Sequence, residues 1–458
     1  MSELLMANRK APIIVGSNLE SRRGAMPGLL RAADRGLKFT DRPDLAKLVN
    51  WSSTKDAPIH RWIRYREAYS SELIDALNLG RRILDPFCGC GSMLIGAAAR
   101  GLQATGIDIN PLAAFAARVK STPLNSRQLN SIKRFCDNLI YTLPSQIEEW
   151  RPELSIAHKV FEPEILTELL RIRSAIADAE IDTQSRDFLQ LGWIAIFESV
   201  GSYYKEGNGI KYRNVQRRPG KYVPRVEGIW QSKRFGDDQG KFVIETFLSH
   251  LNMMLSDTVH WTDAWGHANV IEGNALDLAE LTHEQFDSII FSPPYANRFD
   301  YFESMKVELW FSGLVSSVDQ MRKLRKASLR SHLSADMQRP KVEFPILEQL
   351  IDCMDTDASS WRMGVPELLR GYFSDIVDVL QQCRKRLSGG TCQVVVGNSA
   401  FGGAIIPSDS LTAIAGQIAG FRKSEILVTR HLTVSPQQRA KLDGFENYMR
   451  ESVVVLYP

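Results

Sequence analysis

Residues 81–110, RRILDPFCGCGSMLIGAAARGLQATGIDIN, constrain this chain more than any other stretch. The run ILD is a short apolar strand ending in an acid, and Gly89 and Gly91 give the turn that follows it. MLIGAAAR then reads as a helix that Gly101 stops, and ATGIDIN as a second strand ending in Asp108. NPLAAFAARVK supplies the next helix. A strand, a glycine turn, a helix and another strand open a doubly wound α/β sheet, because parallel strands need a crossover helix between them.

The alternation then breaks off. From about 121 to 265 the segments PEILTELLRIRSAIADA, SRDFLQLGWIAIFESVG and KFVIETFLSHLNMML read as helices, and a basic, aromatic stretch separates the last two. It resumes with the strands NVIEGNALDL and FDSIIFSPPY, a helix over 366–387, the strand TCQVVVGNS, a helix over 408–420, and two last strands, SEILVTRHLTV and ESVVVLYP. The spacing therefore predicts one α/β domain, 51–120 plus 266–458, interrupted by an insertion over 121–265 and a smaller insertion or lid over 312–365. Residues 1–50 read as a basic, extended arm without a core of its own, and 62–79 as a helix with Tyr69, Leu73 and Leu77 on one face.

Composition excludes little. A chain of 458 residues with 44% hydrophobic and 24% charged side chains has the make-up of a globular protein, and a net charge of +3 names no partner. No run approaches the roughly 18 apolar residues of a membrane span, so a cytoplasmic location is expected. The six cysteines are scattered without zinc-ligand spacing, so neither a disulfide framework nor a metal is expected.

Glycines 89 and 91 let the backbone approach a ligand that a Cβ would block, and Asp108, about 20 residues on, is where a carboxylate accepts the hydroxyls of a ribose. Together they point to an adenosine-containing cofactor. A pyrophosphate would call for a third glycine two residues earlier than Gly96, and it would sit badly beside Asp85. A cationic, amino-acid-bearing ligand, S-adenosylmethionine, suits that acid.

Farther along, IFSPPYANRFDYF ends a strand in two prolines, which remove two backbone donors and fix the chain extended. This exit and the D-P-F-x-G-x-G-S turn resemble the two motifs of amino-methylating DNA methyltransferases, and the resemblance implies as target an exocyclic amino nitrogen of a nucleobase, a poor nucleophile because its lone pair is delocalised into the ring. Ser292 Oγ and the Pro293 carbonyl can accept its hydrogens and hold the lone pair toward a methyl donor, with Pro294 freezing the carbonyl direction and Tyr295 offering a stacking face. Phe299, Tyr301 and Phe302 follow as further base-pocket or core aromatics. A thiolate attack on a ring carbon would need a Pro-Cys pair at this exit, which is absent; Cys88, Cys90 and Cys392 read as packing residues.

D-P-F-x-G-x-G-S followed by S-P-P-Y resembles the amino-methylating DNA methyltransferases, in particular their cytosine-N4 group, over about 60–120 and 267–458. The resemblance implies a class I, Rossmann-like domain with a mostly parallel seven-stranded sheet, and S-adenosylmethionine as cofactor. It implies that Asp85, Pro86, Phe87, Gly89, Gly91 and Ser92 hold the cofactor with Asp108, that Asn274 meets the adenine edge, and that Tyr69, Ser70 and Ser71 lie near the methionine end. Ser292, Pro293, Pro294 and Tyr295 become the catalytic exit. For Tyr69, Ser70 and Ser71 a helix cap packed on the sheet is an equal reading.

The basic stretch fits phosphate contacts with stacking: Lys205, Lys211, Arg213, Arg217, Arg218, Lys221 and Arg225 alternate with Tyr203, Tyr204, Tyr212, Tyr222 and Trp230. Beside a base-methylating site it is the expected target-recognition region, with MRKLRKASLRSH as a second arm. The partners implied are double-stranded DNA and, in a restriction–modification system, a separately encoded cognate endonuclease. Adenine-N6 transfer on DNA, guanine-N2 transfer on RNA and an inactive nucleic-acid-binding protein are the alternatives. In the motif order it resembles, the insertion would follow the EGNALDL strand, whereas here it precedes it.

Overall fold

The computed structural model describes residues 19–50, 55–65, 69–145, 147, 156–207, 209–218, 221–224, 229–338, 340–433, 442 and 444–458. In chain order the strands are β1 (Lys38–Asp41), β2 (Arg82–Asp85), β3 (Gln103–Asp108), β4 (Tyr203–Glu206), β5 (Gly209–Tyr212), β6 (Val215–Arg218), β7 (Lys221–Pro224), β8 (Ala268–Glu272), β9 (Phe286–Phe291), β10 (Leu387–Gly397), β11 (Ser399–Phe401), β12 (Ala404–Ile406), β13 (Lys423–His431) and β14 (Arg450–Tyr457). Among the described residues, eight of them form one sheet in the order β1-β13-β14-β10-β9-β2-β3-β8. Neighbours pair in parallel except at β14, which is antiparallel to both β10 and β13. This mixed, mostly parallel sheet with flanking helices is consistent with the class I methyltransferase α/β fold, with one strand more than the seven expected.

The side chains alternate between two cores, as the pleat requires. Leu84, Ile289, Phe291, Val394, Val396, Val454 and Leu456 face helices Leu19–Asp34, Pro345–Asp352, Val365–Arg386 and Ser408–Ile418. Ile83, Ile290, Val395, Val453 and Val455 face Leu73–Ala76 and Ser92–Ala99.

The eighth strand comes from the region expected to be an arm without a core. Residues 19–34 instead form a helix whose Met26, Leu29, Leu30 and Ala33 are buried in the main core, and β1 then extends the sheet beside β13. Those four positions make an i, i+3, i+4, i+7 stripe, but Pro27 and Gly28 within it read as a turn. Arg450 fastens the helix down: its Nη2 lies 3.2 Å from Asp34 Oδ1 and its Nε 2.8 Å from Asp409 Oδ2. The helix expected over 62–79 is also not continuous: among the described residues of this segment there are a 3₁₀ turn at His60–Trp62 and a single helical turn at Leu73–Ala76.

Between helix Pro111–Ser121 and β8, the described inserted residues form helices Ser126–Thr142, Pro163–Asp178, Thr183–Ala195 and Gln239–Asp257, with the hairpins β4–β5 and β6–β7. Their core is shared with the parent domain: Leu169, Trp193, Phe197 and Leu251 pack in one cluster with Trp62, Leu112, Phe115, Phe302 and Phe311. Asp257, at the end of the last inserted helix, accepts hydrogen bonds from Ile59 N, the Arg61 guanidinium and Trp62 Nε1, all within 3.0 Å. Among the described residues no helix is long and apolar enough to cross a membrane.

Candidate active site

β2 ends at Asp85, and the chain turns at once. Gly89 and Gly91 take φ of +50° and +81°, in the left-handed region that L side chains avoid. At Gly91 a Cβ would also lie 3.0 Å from that of Ala117, so the turn and helix Pro111–Ser121 close together only over glycine. Gly96, off the dinucleotide register, serves packing: a Cβ there would lie 2.0 Å from that of Ser71.

The turn is tied to Asp108 at the end of β3. Gly89 N donates to Asp108 Oδ2 at 2.9 Å and Asn110 N to Oδ1 at 2.8 Å. Burial nonetheless pushes the Asp108 carboxyl up to about 6, against the pull of those two amides. Asp85 lies deeper, only 1% exposed, accepting from Tyr69 Oη at 2.7 Å and from Phe87 N at 3.0 Å; burial pushes it up to about 7. Cys88 and Cys90 are buried, and burial raises the Cys90 thiol to about 12, so neither is a ready thiolate.

Seven of the expected site residues line one cleft of about 690 Å³: Pro86, Phe87, Gly89, Asp108 and Asn274 from the cofactor set, and Ser292 and Pro294 from the strand exit. Two motifs about 200 residues apart therefore share a single space, which the adjacency of β2 and β9 brings about. Ser292 Oγ has no hydrogen-bond partner among the described residues, while the Phe87 and Phe291 rings meet beside it at 5.4 Å. Asn274 is engaged at both ends of its amide, accepting from Leu276 N at 3.1 Å and donating to the Ala327 carbonyl at 2.7 Å.

The remaining expected residues stand back from the cleft. Asp85 is not among the residues lining the cleft, Tyr69 lies behind it as its hydrogen-bond donor, and Ser70 is a buried turn residue whose Oγ accepts from Glu72 N. Gly91 and Ser92 form the helix start, and Pro293 is buried. Tyr295 was expected to offer a stacking face; its ring edge lies against Gly397, and its hydroxyl donates to Glu451 Oε1 at 3.0 Å.

Sequence reasoning missed the opposite wall. Ser328, Leu329, Ser331 and His332, inside the smaller insertion, line the cleft with Tyr65 and with Tyr301 and Phe302, the last two being aromatics that the sequence offered for the base pocket. His332 Nδ1 accepts from Ser334 N at 3.2 Å, so Nε2 carries the proton toward Ser328 Oγ at 2.9 Å. Burial lowers its pKa, although Asp300 pulls the other way from 3.6 Å. Arg330 pins this wall to helix Val365–Arg386 through N, Nε and Nη2, all on the Asp375 carboxylate at 2.6–3.0 Å. Arg325 is likewise held on Asp300. Two cations of the supposed second arm are therefore structural. The small polar residues of ASLRSH were the available signal, hidden by the charges around them.

A second pocket of about 400 Å³ adjoins the first, with Tyr65 and Tyr301 common to both and Arg64, Glu198, Lys205 and Phe299 among its other walls. Lys205, expected on phosphates, is largely buried with its Nζ 2.7 Å from Glu308 Oε1. Arg213 stacks on Tyr204 at 5.3 Å and donates to the Glu198 carbonyl, and Lys211 is exposed on β5. Arg217, Arg218 and Lys221 lie in the β6–β7 hairpin; Arg225 falls outside the described residues. Among the described residues no group of three or more His, Cys, Asp or Glu could hold a metal ion.

No protein-family model matches the chain. It is similar to the type II methyltransferase M.BsoBI of Geobacillus stearothermophilus, at 25% identity over 437 residues, covering 83% of this chain and 82% of that one. The type II methyltransferase M.AvaI of Nostoc sp. is 24% identical over 415 residues, covering 83% of each chain. A shorter match, 21% over 230 residues and 47% of each chain, is to the type II methyltransferase M.MvaI of Kocuria varians.

Proposed function

We propose that this protein is a sequence-specific DNA methyltransferase of a restriction–modification system, transferring a methyl group from S-adenosylmethionine to the exocyclic N4 of a cytosine turned out of the duplex. The observation that carries this reading is the single cleft lined by both the glycine turn and the Ser292–Pro294 exit. Similarity to type II methyltransferases along most of the chain supports methyl transfer and S-adenosylmethionine as the donor. The cytosine assignment rests on serine at the first position of the exit, as in the family it resembles.

The residues present suit the donor. Asp108 is aimed at the cleft by two amides and would accept ribose hydroxyls; Phe87 and Ala275 give apolar walls for an adenine ring. Asn274, tied up in its own turn, would contribute shape more than a new hydrogen bond. S-adenosylmethionine carries its methyl on a sulfonium sulfur, from which a nitrogen lone pair displaces it in line. Ser292 Oγ, without a partner among the described residues, would accept from the target amino group and draw its lone pair out of conjugation, with the carbonyl of Pro293, whose side chain lies back from the cleft, as the second acceptor that the family resemblance implies. With Tyr295 engaged by Glu451, Tyr301 and Tyr65 are the aromatic faces in position to receive an extruded base. Lys211 and the two hairpins of the insertion would meet the duplex, with a separately encoded endonuclease as the functional counterpart.

The test is transfer of labelled methyl groups to unmodified mixed-sequence duplex DNA, followed by nucleoside mass spectrometry. N4-methylcytosine is expected, reduced about 100-fold or more in Ser292→Ala with cofactor affinity retained. N6-methyladenine would keep the mechanism and correct the base. No methylated nucleoside on DNA that the protein binds would overturn the assignment.

A further inference from the structure

We propose that Arg298 is a phosphate contact for the nucleotide whose base enters the cleft, held for that purpose in a backbone conformation that arginine ordinarily avoids. The proposal rests on the DNA-methyltransferase reading above and adds a residue to it.

Arg298 follows the catalytic exit by three residues and has φ of +69°, one of three non-glycine residues with positive φ among those described. Such a position costs backbone energy, and the surrounding bonds hold it in place. Asn297 N donates to the Tyr295 carbonyl at 2.7 Å, Phe299 N to Asn297 Oδ1 at 3.0 Å, and Arg298 N to the carbonyl of Ser331, which lines the cleft, at 3.1 Å. Arg298 thus lies where the exit and the opposite wall meet.

Its guanidinium is under-used. It sits 5.8 Å from the Phe401 ring, its Nη1 is 3.7 Å from Met363 Sδ, and its Nε is buried with no hydrogen-bond partner. The neighbouring cations differ: Arg325 has Asp300, Arg330 has Asp375, and Lys306 has Glu303. Among the described residues Arg298 has no carboxylate partner. A thioether and an aromatic ring position a guanidinium fork without neutralising it, and the matching ligand is a dianionic or phosphodiester oxygen pair. The cofactor's carboxylate has similar chemistry, but Arg298 is not among the residues lining the cleft, whereas the backbone of an extruded nucleotide must remain outside it.

The test uses the full-length protein and a duplex built on the site found methylated in the transfer assay, titrated over a salt series. Arg298→Ala and Arg298→Gly are expected to weaken binding about tenfold and to reduce the salt slope by about one, with Arg298→Lys retaining the slope. Arg298→Gly is also expected to raise Tm, because glycine accepts the positive φ freely. Affinity and slope unchanged in both the Ala and Gly variants, while wild type methylates that duplex, would overturn Arg298 alone. Loss of cofactor affinity in place of DNA affinity would reassign it to the cofactor carboxylate. A wild type that methylates no DNA would overturn the underlying reading and this one with it.

Discussion

Asp108 shows what a single buried carboxylate can report. Its carboxyl is raised from 3.8 to about 6 by burial, and the carboxylate is the form that best accepts ribose hydroxyls. Cofactor affinity should therefore be level above about pH 6 and fall as pH drops below it, while Asp108→Asn binds weakly with a flat profile. Calorimetric titration across pH 5–8 checks this; affinity undiminished at the acid end would remove the ribose from Asp108. The same shift has the opposite sign for the empty protein. With the folded-state pKa above the unfolded one, the stability this group contributes is full below pH 3.8 and is lost as pH rises through about 6. Residues of this kind were legible in the sequence because a glycine turn and a strand-end acid each have a backbone reason for their place. Tyr295 was not: its contact with Glu451 joins residues 156 positions apart, and no local pattern encodes such a pairing.

At the scale of elements, the strands and helices of the parent sheet follow from period-two and period-3.6 patterns, and Val365–Arg386 and Ser408–Ile418 fall close to where those patterns predict them. The smaller insertion was misread because an arginine held by a buried acid looks, in sequence, like one that awaits phosphate. Arg330 crosses Gly371 closely, where a Cβ would lie 2.7 Å from its Cδ, and it delivers residues 328–332 to the cleft. Removing it leaves Asp375 buried and unpaired, which should cost about 3–5 kcal/mol. The double change Arg330→Met with Asp375→Leu should recover most of that loss yet leave the wall unpinned, raising KM for the cofactor more than it lowers kcat. Hydrogen exchange at 328–332 should rise in the double variant; unchanged protection would mean that other contacts hold the wall.

For the molecule as a whole, the insertion shares its core with the domain it interrupts. Trp193 and Phe197 lie in the same cluster as Leu112, Phe302 and Phe311, and Asp257 locks the 59–62 segment to the last inserted helix. We expect tryptophan fluorescence and cofactor binding to be lost at the same denaturant concentration. Fluorescence lost first, with binding intact, would make the insertion a separate folding unit. The sheet order has a further consequence for synthesis on the ribosome. Of the eight strands of the described sheet β14 comes last in the chain, yet it lies between β10 and β13, where it pairs with both. Until it emerges, β13 and β1 have no strand to join them to the rest of the sheet, and two inner edges stay open to mispairing. A nascent chain therefore cannot complete the body that supports the cleft until β14 has been made, and ribosomes that stop short of β14 should yield chains that chaperones hold and proteases clear.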